Sequence, residues 1–438
     1  MTRKYLVAAA LAFLLSLPDA VHAQSVDMKV SLSNPLLLAG QGQTGYLKVG
    51  MLGTGFGEAR PRATANLALV IDRSGSMAGA KLERAKEAAI QAIARLSPQD
   101  IVSVVAFDDT VSVLLPATRA SDKEEIYRAI RRLRPGNSTA LFAGVSRGAG
   151  EARKFLARNF ANRVILISDG LANVGPSSTE ALASLGASLR KEGISVTTLG
   201  LGLDYNEDLL YHLAQASDGN HAFVENATDL ARIFDSEFGD VLSVAATDVE
   251  IRIAFAPGVR PLRLLGRGGE IVGQTVVIRL NQVLDRQEKY ALVEFSAPAR
   301  LAGETVPLAE VRADFTGVGD GRRQSQSRSV TVRASAERAE VERATDREVM
   351  VAAVEQLANQ RSKEALALRD RGLIEDARAA LRENERYLSE NAARLQSERL
   401  RRASEQNRVD QTNLDGDWNR TRKNMRRNQY YFDSQQSY

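Results

Sequence analysis

Three oxygen-bearing side chains alternate along one short polar segment of the sequence: Asp72, Ser74 and Ser76. The segment follows an apolar run at residues 67–71, which is typical of a buried strand, and a helical pattern begins near Ala80. Because the three residues alternate, their side chains can point to one side of the loop between strand and helix. One carboxylate and two hydroxyls are hard ligands, which suit Mg²⁺ or Mn²⁺ better than zinc or copper.

Two further oxygen donors stand at comparable places in the chain. Thr139 lies in a polar loop ahead of a helical pattern, and Asp169 ends a second apolar run and is followed by Gly170. Ligands of parallel α/β sheets bind at the carboxyl ends of the strands, so these residues can meet at one sheet edge. The alternative is that they only satisfy the ends of helices.

The elements that must position these residues alternate between strand and helix over residues 64–242. This alternation predicts an α/β fold, with a doubly wound and mainly parallel sheet that helices cover on both faces. Asp108 and Asp109 follow another apolar strand, where a turn is the favoured interpretation. Arg73 and Asn173 are further candidates for the rim of the site.

The order of these motifs resembles that of a known family. Asp-x-Ser-x-Ser after a hydrophobic strand, then Gly-x-x-Thr, then Asp-Gly after a second strand, resembles the metal-ion-dependent adhesion site of von Willebrand factor type A (VWA) domains. The resemblance covers roughly residues 64–240 and implies a Rossmann-like fold, here in a secreted bacterial protein. It also implies a bound Mg²⁺, or Mn²⁺ or Ca²⁺ in its place.

The resemblance assigns roles to the motif residues. Ser74, Ser76 and Thr139 would bind the metal directly, and Asp72 and Asp169 directly or through water. One coordination position would stay open for an acidic residue of a protein partner, as in cell adhesion. Mg²⁺ with few charged ligands remains electrophilic, so it would accept such a carboxylate.

The flanking sequence predicts the rest of the molecule. Arg3, Lys4, an apolar run at residues 6–17 and the small residues before Gln24 predict a signal peptide over residues 1–23, cleaved after Ala23. We therefore expect a periplasmic or secreted protein. No later run is long enough to span a bilayer, so no transmembrane segment is expected in the mature chain.

Alternating strands at residues 24–63 and 243–336 predict an antiparallel β-sandwich that the early strands join. Residues 340–410 predict a charged helical hairpin with its turn at Gly372, and residues 411–438 predict a disordered tail.

Composition excludes several functions. The chain has no cysteine, which excludes thiol catalysis and disulfides, and its formal net charge of +4 does not indicate nucleic-acid binding. His212 and His221 belong to no catalytic pattern, and Ser74 lacks the glycine-flanked elbow of a nucleophile.

We therefore expect a non-enzymatic protein that binds a partner through the metal. The alternatives are an envelope assembly factor with an incidental metal site and, less favoured, a Mg²⁺-dependent hydrolase. The sequence does not indicate an oligomeric state.

Overall fold

The computed structural model describes residues 25–54, 63–169, 172–203, 205–233, 239, 243–318 and 321–435. The predicted signal peptide, over residues 1–23, lies outside them, as does Gly170. The described strands are β1 Val26–Leu32, β2 Leu36–Leu38, β3 Gln43–Gly53, β4 Thr64–Asp72, β5 Ile101–Phe107, β6 Val111–Arg119, β7 Phe160–Ser168, β8 Ser195–Leu201, β9 His221–Val224, β10 Val244–Phe255, β11 Arg260–Leu265, β12 Glu270–Val272, β13 Thr275–Leu284, β14 Glu288–Ala297, β15 Thr305–Gly317 and β16 Arg323–Ser335.

The described α-helices fall into two groups. The helices of the α/β domain are α1 Ala80–Ala94, α2 Lys123–Arg131, α3 Leu141–Arg153, α4 Thr179–Lys191 and α5 Glu207–Ala216. The C-terminal helices are α6 Arg338–Arg343, α7 Arg347–Asp370, α8 Ile374–Leu395, α9 Glu398–Thr412 and α10 Trp418–Ser434. No helix in the described part of the chain is long and apolar enough to cross a membrane.

The α/β domain is built on a six-stranded sheet of order β6-β5-β4-β7-β8-β9, in which only the β5–β6 pair is antiparallel. Its central strands, β4 and β7, are buried along almost their whole length because helices cover both faces. Helix α3 lies very close to the sheet. A Cβ atom on Gly148 would stand 2.4 Å from Val70 Cγ2, so glycine is required at this position.

Two antiparallel sheets form a sandwich beside this domain. Their orders are β1-β3-β14-β11 and β12-β13-β10-β15-β16-β2, and β2 alone joins its neighbour in parallel. Residues from both sheets, such as Val49 and Ile251, share one apolar core. Because β3 pairs with β14, strands from before and after the α/β domain meet, and that domain is an insertion into the sandwich.

The charged segment at residues 340–410 is not a two-helix hairpin. The turn at Gly372 has a φ of 82°, as a chain reversal requires, but a second break follows α8. Gln396 takes a left-handed conformation there, and the Ser397 side chain accepts a hydrogen bond from the Leu400 N–H. These two features end α8 and begin a third long helix, α9.

The prediction of a disordered tail at residues 411–438 is wrong. Residues Trp418–Ser434 form helix α10, which packs on α5, α7 and β9, while residues 436–438 lie outside the described part. The basic cluster finds acidic partners far away in sequence: Arg422 pairs with Asp208 at 2.6 Å and with Asp370 at 2.8 Å. Composition alone indicated a solvated tail because these partners are remote along the chain.

Candidate metal site

The site begins at Asp72, the last residue of strand β4. Its side chain is completely buried. One carboxylate oxygen accepts the Ser74 N–H at 2.8 Å, and the other accepts the Ser168 hydroxyl at 2.5 Å. Burial raises the pKa of Asp72 to about 6, against the lowering effect of these hydrogen bonds. Asp72 is therefore a buried carboxyl group that accepts hydrogen bonds from neutral donors, and it forms no ion pair within the described residues.

Ser74, Ser76 and Asp169 meet in front of Asp72. The two serine hydroxyls are 3.1 Å apart, and Ser76 donates a hydrogen bond of 2.8 Å to Asp169 Oδ1. Asp169 follows strand β7, which pairs with β4 in parallel, so the two carboxylates come from neighbouring strand ends. The structure thus brings together side chains that are more than ninety residues apart in sequence.

Thr139 lies in a loop that hydrogen bonds connect to the loop containing Ser74 and to the loop after Asp169. The Gly75 N–H donates to the Asn137 carbonyl at 2.8 Å, and the Gly136 N–H donates to the Arg73 carbonyl at 2.6 Å. On the other side, Asn173 Oδ1 accepts the Thr139 N–H at 2.8 Å. Asn173, a rim candidate in the sequence, therefore fixes the Thr139 loop against the Asp169 loop.

The alternative, in which these residues only cap helices, finds no support. Ser74 precedes a 3₁₀ turn at Gly75–Met77 without making a side-chain cap. Helix α1 begins after Gly79 and helix α3 after Ala140, and neither position has a side-chain cap. The oxygens of Ser74 and Ser76 contact each other instead of backbone N–H groups.

Asp108 lies beside the site and stabilises a turn, as its position after strand β5 predicts. One carboxylate oxygen accepts both the N–H and the hydroxyl of Thr110 at 2.8 Å, and the other pairs with Arg73 at 3.0 Å. A Cβ atom on Gly136 would stand 1.9 Å from Asp108 Oδ2, so glycine is required where the two loops cross. Asp109 is exposed.

Lys81 is a residue that the sequence analysis missed. Its ammonium group, on the first turn of α1, forms an ion pair with Asp169 Oδ2. The only sign of this ion pair in the sequence was a lysine five positions beyond Ser76. The direction of the lysine side chain depends on where helix α1 begins. Asp169 therefore has a cationic partner, whereas Asp72 has none among the described residues.

This set of donors fits a hard divalent cation. The described residues contain no group of three or more Asp, Glu, His or Cys side chains placed to hold a metal ion, so a cation here would depend on the hydroxyls as well as the carboxylates. Carboxylate and hydroxyl oxygens are suitable ligands for Mg²⁺, Mn²⁺ or Ca²⁺. The buried, uncompensated Asp72 carboxylate adds a local negative charge that a cation would balance.

Comparison with known proteins agrees with the fold of the α/β domain. Residues 66–236 match the family model of the von Willebrand factor type A domain. An uncharacterised Synechocystis protein is 28% identical over 273 residues, which cover 60% of this chain and 64% of that protein. The match therefore spans less than two-thirds of this relative.

Solved structures extend the likeness beyond the α/β domain. A von Willebrand factor type A protein from Catenulispora acidiphila superimposes with a TM-score of 0.70 at 17% identity, covering 87% of this chain and 90% of that one. The ArnB paralog VWA2 from Sulfolobus acidocaldarius gives 0.65 at 18% identity, covering 92% and 98%. At these identities the likeness shows the fold.

The chain thus contains a VWA domain, joined to two further sheets and a set of C-terminal helices. VWA domains often mediate protein–protein interactions and commonly bind a divalent metal.

Proposed function

We propose that this protein binds a divalent cation, Mg²⁺ or else Mn²⁺ or Ca²⁺, and uses it to hold an acidic side chain of a protein partner. We place it in the periplasm or outside a bacterial cell, in agreement with the predicted signal peptide. The observation that carries the proposal is the site itself. Asp72, a buried carboxylate without a cationic partner among the described residues, stands behind two hydroxyls that contact each other and a second carboxylate.

Each residue has a part in this proposal. Ser74, Ser76 and Thr139 would supply neutral oxygens, and Asp72 and Asp169 would supply the negative charge, directly or through water. A cation bound there would offer an open coordination position to a partner's carboxylate. The hydrogen bonds between the three loops hold the donors in place, which limits the loss of entropy when the site is filled.

We propose no catalytic activity for the site. His221, the nearer of the two mature histidines to the sheet core, is fully buried between Thr198 and Tyr205. Burial lowers its pKa to about 3, so it stays neutral and away from solvent at neutral pH. A role in holding a partner uses the five oxygen donors of the site, and it requires no general base.

The experiment is a pull-down from bacterial envelope extracts with the wild-type chain and with Asp72→Asn. We expect capture of a partner by the wild type in Mg²⁺, no capture in EDTA and none by Asp72→Asn in either condition. Asp109→Asn is the matched control, since it removes an exposed carboxylate close to the same sheet edge and should capture normally.

Two results would contradict the proposal. Capture that persists in EDTA and in Asp72→Asn, but is lost on truncation at Arg343, would indicate an assembly factor whose metal site is incidental. Turnover of phosphoesters or peptides with Mg²⁺, lost in Asp72→Asn, would indicate a hydrolase.

A further inference from the structure

Helix α2 carries a row of three arginines on its exposed side, which we call the arginine row: Arg128, Arg131 and Arg132. They are spaced by three and four residues, so their side chains project from the same side of the helix. All three are exposed, whereas the opposite side of the helix is buried. Arg134 follows shortly after the helix, and residues 126–150 contain five arginines but no lysine, aspartate or glutamate. This stretch of the chain is therefore strongly basic.

The arginine row ends at the edge of the sheet that carries the candidate metal site. Strand β5 ends at this edge like β4, and β6 runs antiparallel to β5, so β6 ends at the opposite edge. Helix α2 then returns the chain to the site, where the Gly136 N–H donates to the Arg73 carbonyl, directly before Ser74. Four peptide units separate Arg132 from Gly136, so their Cα atoms are at most about 15 Å apart.

The end of helix α2 does not require the arginine row. Arg134 already donates to the carbonyls of Arg131 and Leu133, at 3.1 and 3.0 Å, and so supplies the cation that a helix C-terminus favours. Like charges three and four residues apart on the same helix repel one another and destabilise it. The further arginines therefore need another explanation than the helix end.

Acidic side chains leave most of this positive charge uncompensated. Glu124 and Glu125 belong to the first turn of α2, away from the site. Arg131 lies 3.9 Å from Glu124 with both side chains exposed, and such a contact contributes little. No ion pair reaches the Arg132 side chain within the described residues. Asp109, between β5 and β6 at the site edge, is exposed and supplies one negative charge.

The cations within the metal site, in contrast, are paired. Arg73 pairs with Asp108 at 3.0 Å, and Lys81 pairs with Asp169. A divalent cation bound at the site would outweigh the charge of the Asp72 carboxylate. The surface around a filled site would therefore be positive on the side where the arginine row lies, and it would attract a negatively charged partner.

We propose that the metal site and the arginine row together bind an extended acidic segment of a protein partner. This inference rests on the proposed function: one carboxylate of the segment would take the open position of the cation. Further carboxylates would pair with Arg131 and Arg132, whose planar guanidinium groups match a carboxylate. Because an extended chain advances about 3.3 Å per residue, acidic residues within about five positions of the metal-bound one would reach the arginines. These arginines thus select partners with clustered acidic residues.

The test is fluorescence anisotropy of labelled peptides with the purified chain, in Mg²⁺ and in EDTA. One peptide has a single Glu in a Gly/Ser sequence, and the other has three further Glu residues within five positions of the first. We expect the acidic-cluster peptide to bind at least about tenfold more tightly in Mg²⁺. Arg131→Gln/Arg132→Gln should weaken its binding by about tenfold, and should change the affinity for the single-Glu peptide by less than about twofold.

Arg401→Gln/Arg402→Gln is the matched control, since it removes two adjacent exposed arginines from α9, outside the α/β domain. It should bind both peptides as the wild type does. If binding is lost in EDTA but the wild type has equal affinity for the two peptides, or Arg131→Gln/Arg132→Gln keeps the affinity for the acidic-cluster peptide, this inference is overturned and the proposed function stands.

Two other results have a different meaning. No binding of either peptide, or binding of both that persists in EDTA, would contradict the proposed function itself and this inference with it. Loss of binding to phosphatidylglycerol vesicles in Arg131→Gln/Arg132→Gln, with unchanged peptide affinity, would identify a membrane surface as the ligand of the arginine row and overturn this inference alone.

Discussion

Two buried acidic groups of the α/β domain have opposite surroundings. Glu207, at the start of α5, receives Lys423 at 2.7 Å and also pairs with Arg422, both from helix α10. Asp72, at the end of β4, is as deeply buried, but its partners in the described part of the chain are the Ser74 N–H and the Ser168 hydroxyl. One carboxylate is paired with the protein's own cations, and the other has no cationic partner among the described residues.

We infer that this difference separates structural carboxylates from functional ones. Paired charges such as Glu207 attach the C-terminal helix to the α/β domain, and breaking one pair leaves its partner charge buried. An unpaired carboxylate such as Asp72 is costly to the fold, and we infer that it is kept because it binds something. Neutralising the two groups should therefore change the free energy of unfolding in opposite ways.

The largest effect is expected at the paired group. Glu207→Gln would leave the Lys423 ammonium, only 2% exposed, without a carboxylate. We expect the free energy of unfolding, measured in urea, to fall by about 3 kcal/mol. Asp370→Asn is the control. It removes a more exposed partner of Arg422 and should cost less than about 1 kcal/mol. Equal losses in the two variants would show that burial does not decide the effect.

The next effect is a pH dependence at the same interface. His221 lies under Tyr430 of α10, with ring centroids 5.9 Å apart, and its pKa is about 3 in the folded protein. Its unfolded value is about 6.5, so between these values the unfolded chain binds more protons and stability falls as the pH is lowered.

Between pH 7 and pH 4.5, wild type should lose about 2–3 kcal/mol more of its unfolding free energy than His221→Gln. Urea titrations of both proteins at the two pH values measure this. If the two proteins lose the same amount, His221 is not the group that titrates.

The smallest effect is expected at Lys81, the cation that shares Asp169 with the proposed metal. Lys81→Met removes a positive charge next to the site, so Mg²⁺ should bind several-fold more tightly, by about 1 kcal/mol. Titration calorimetry would measure the change, with Lys123→Met on the same domain as a control for net charge. Weaker Mg²⁺ binding in Lys81→Met would show that this lysine supports the metal ligands.

The VWA fold, and the position of Asp72, Ser74 and Ser76 at one edge of its sheet, could be predicted from the sequence because both depend on local pattern. Asp72, Ser74 and Ser76 follow an apolar strand, and the ends of neighbouring parallel strands must meet at one edge. Hydrophobic periodicity likewise indicated the sandwich strands. These features need no knowledge of distant contacts.

What could not be predicted depends on distant side chains. Arg422 and Lys423 are typical of a solvated tail until Glu207, more than two hundred residues earlier, is placed beside them. Asn384 is a polar residue on the buried face of α8, and its amide donates to the Ala358 carbonyl of α7. The pairing of Lys81 with Asp169 requires the start of α1 to be known.

The most direct test of the account is a calorimetric titration of Mg²⁺ and Mn²⁺ into the wild-type chain and Asp72→Asn. The account predicts one saturable site in the wild type, and binding weaker by about a hundredfold or more in the variant. In EDTA, the variant should unfold with the same or a higher free energy, because burial already raises the pKa of Asp72 to about 6. Equal metal affinity in both proteins, or no saturable binding in the wild type, would contradict the account.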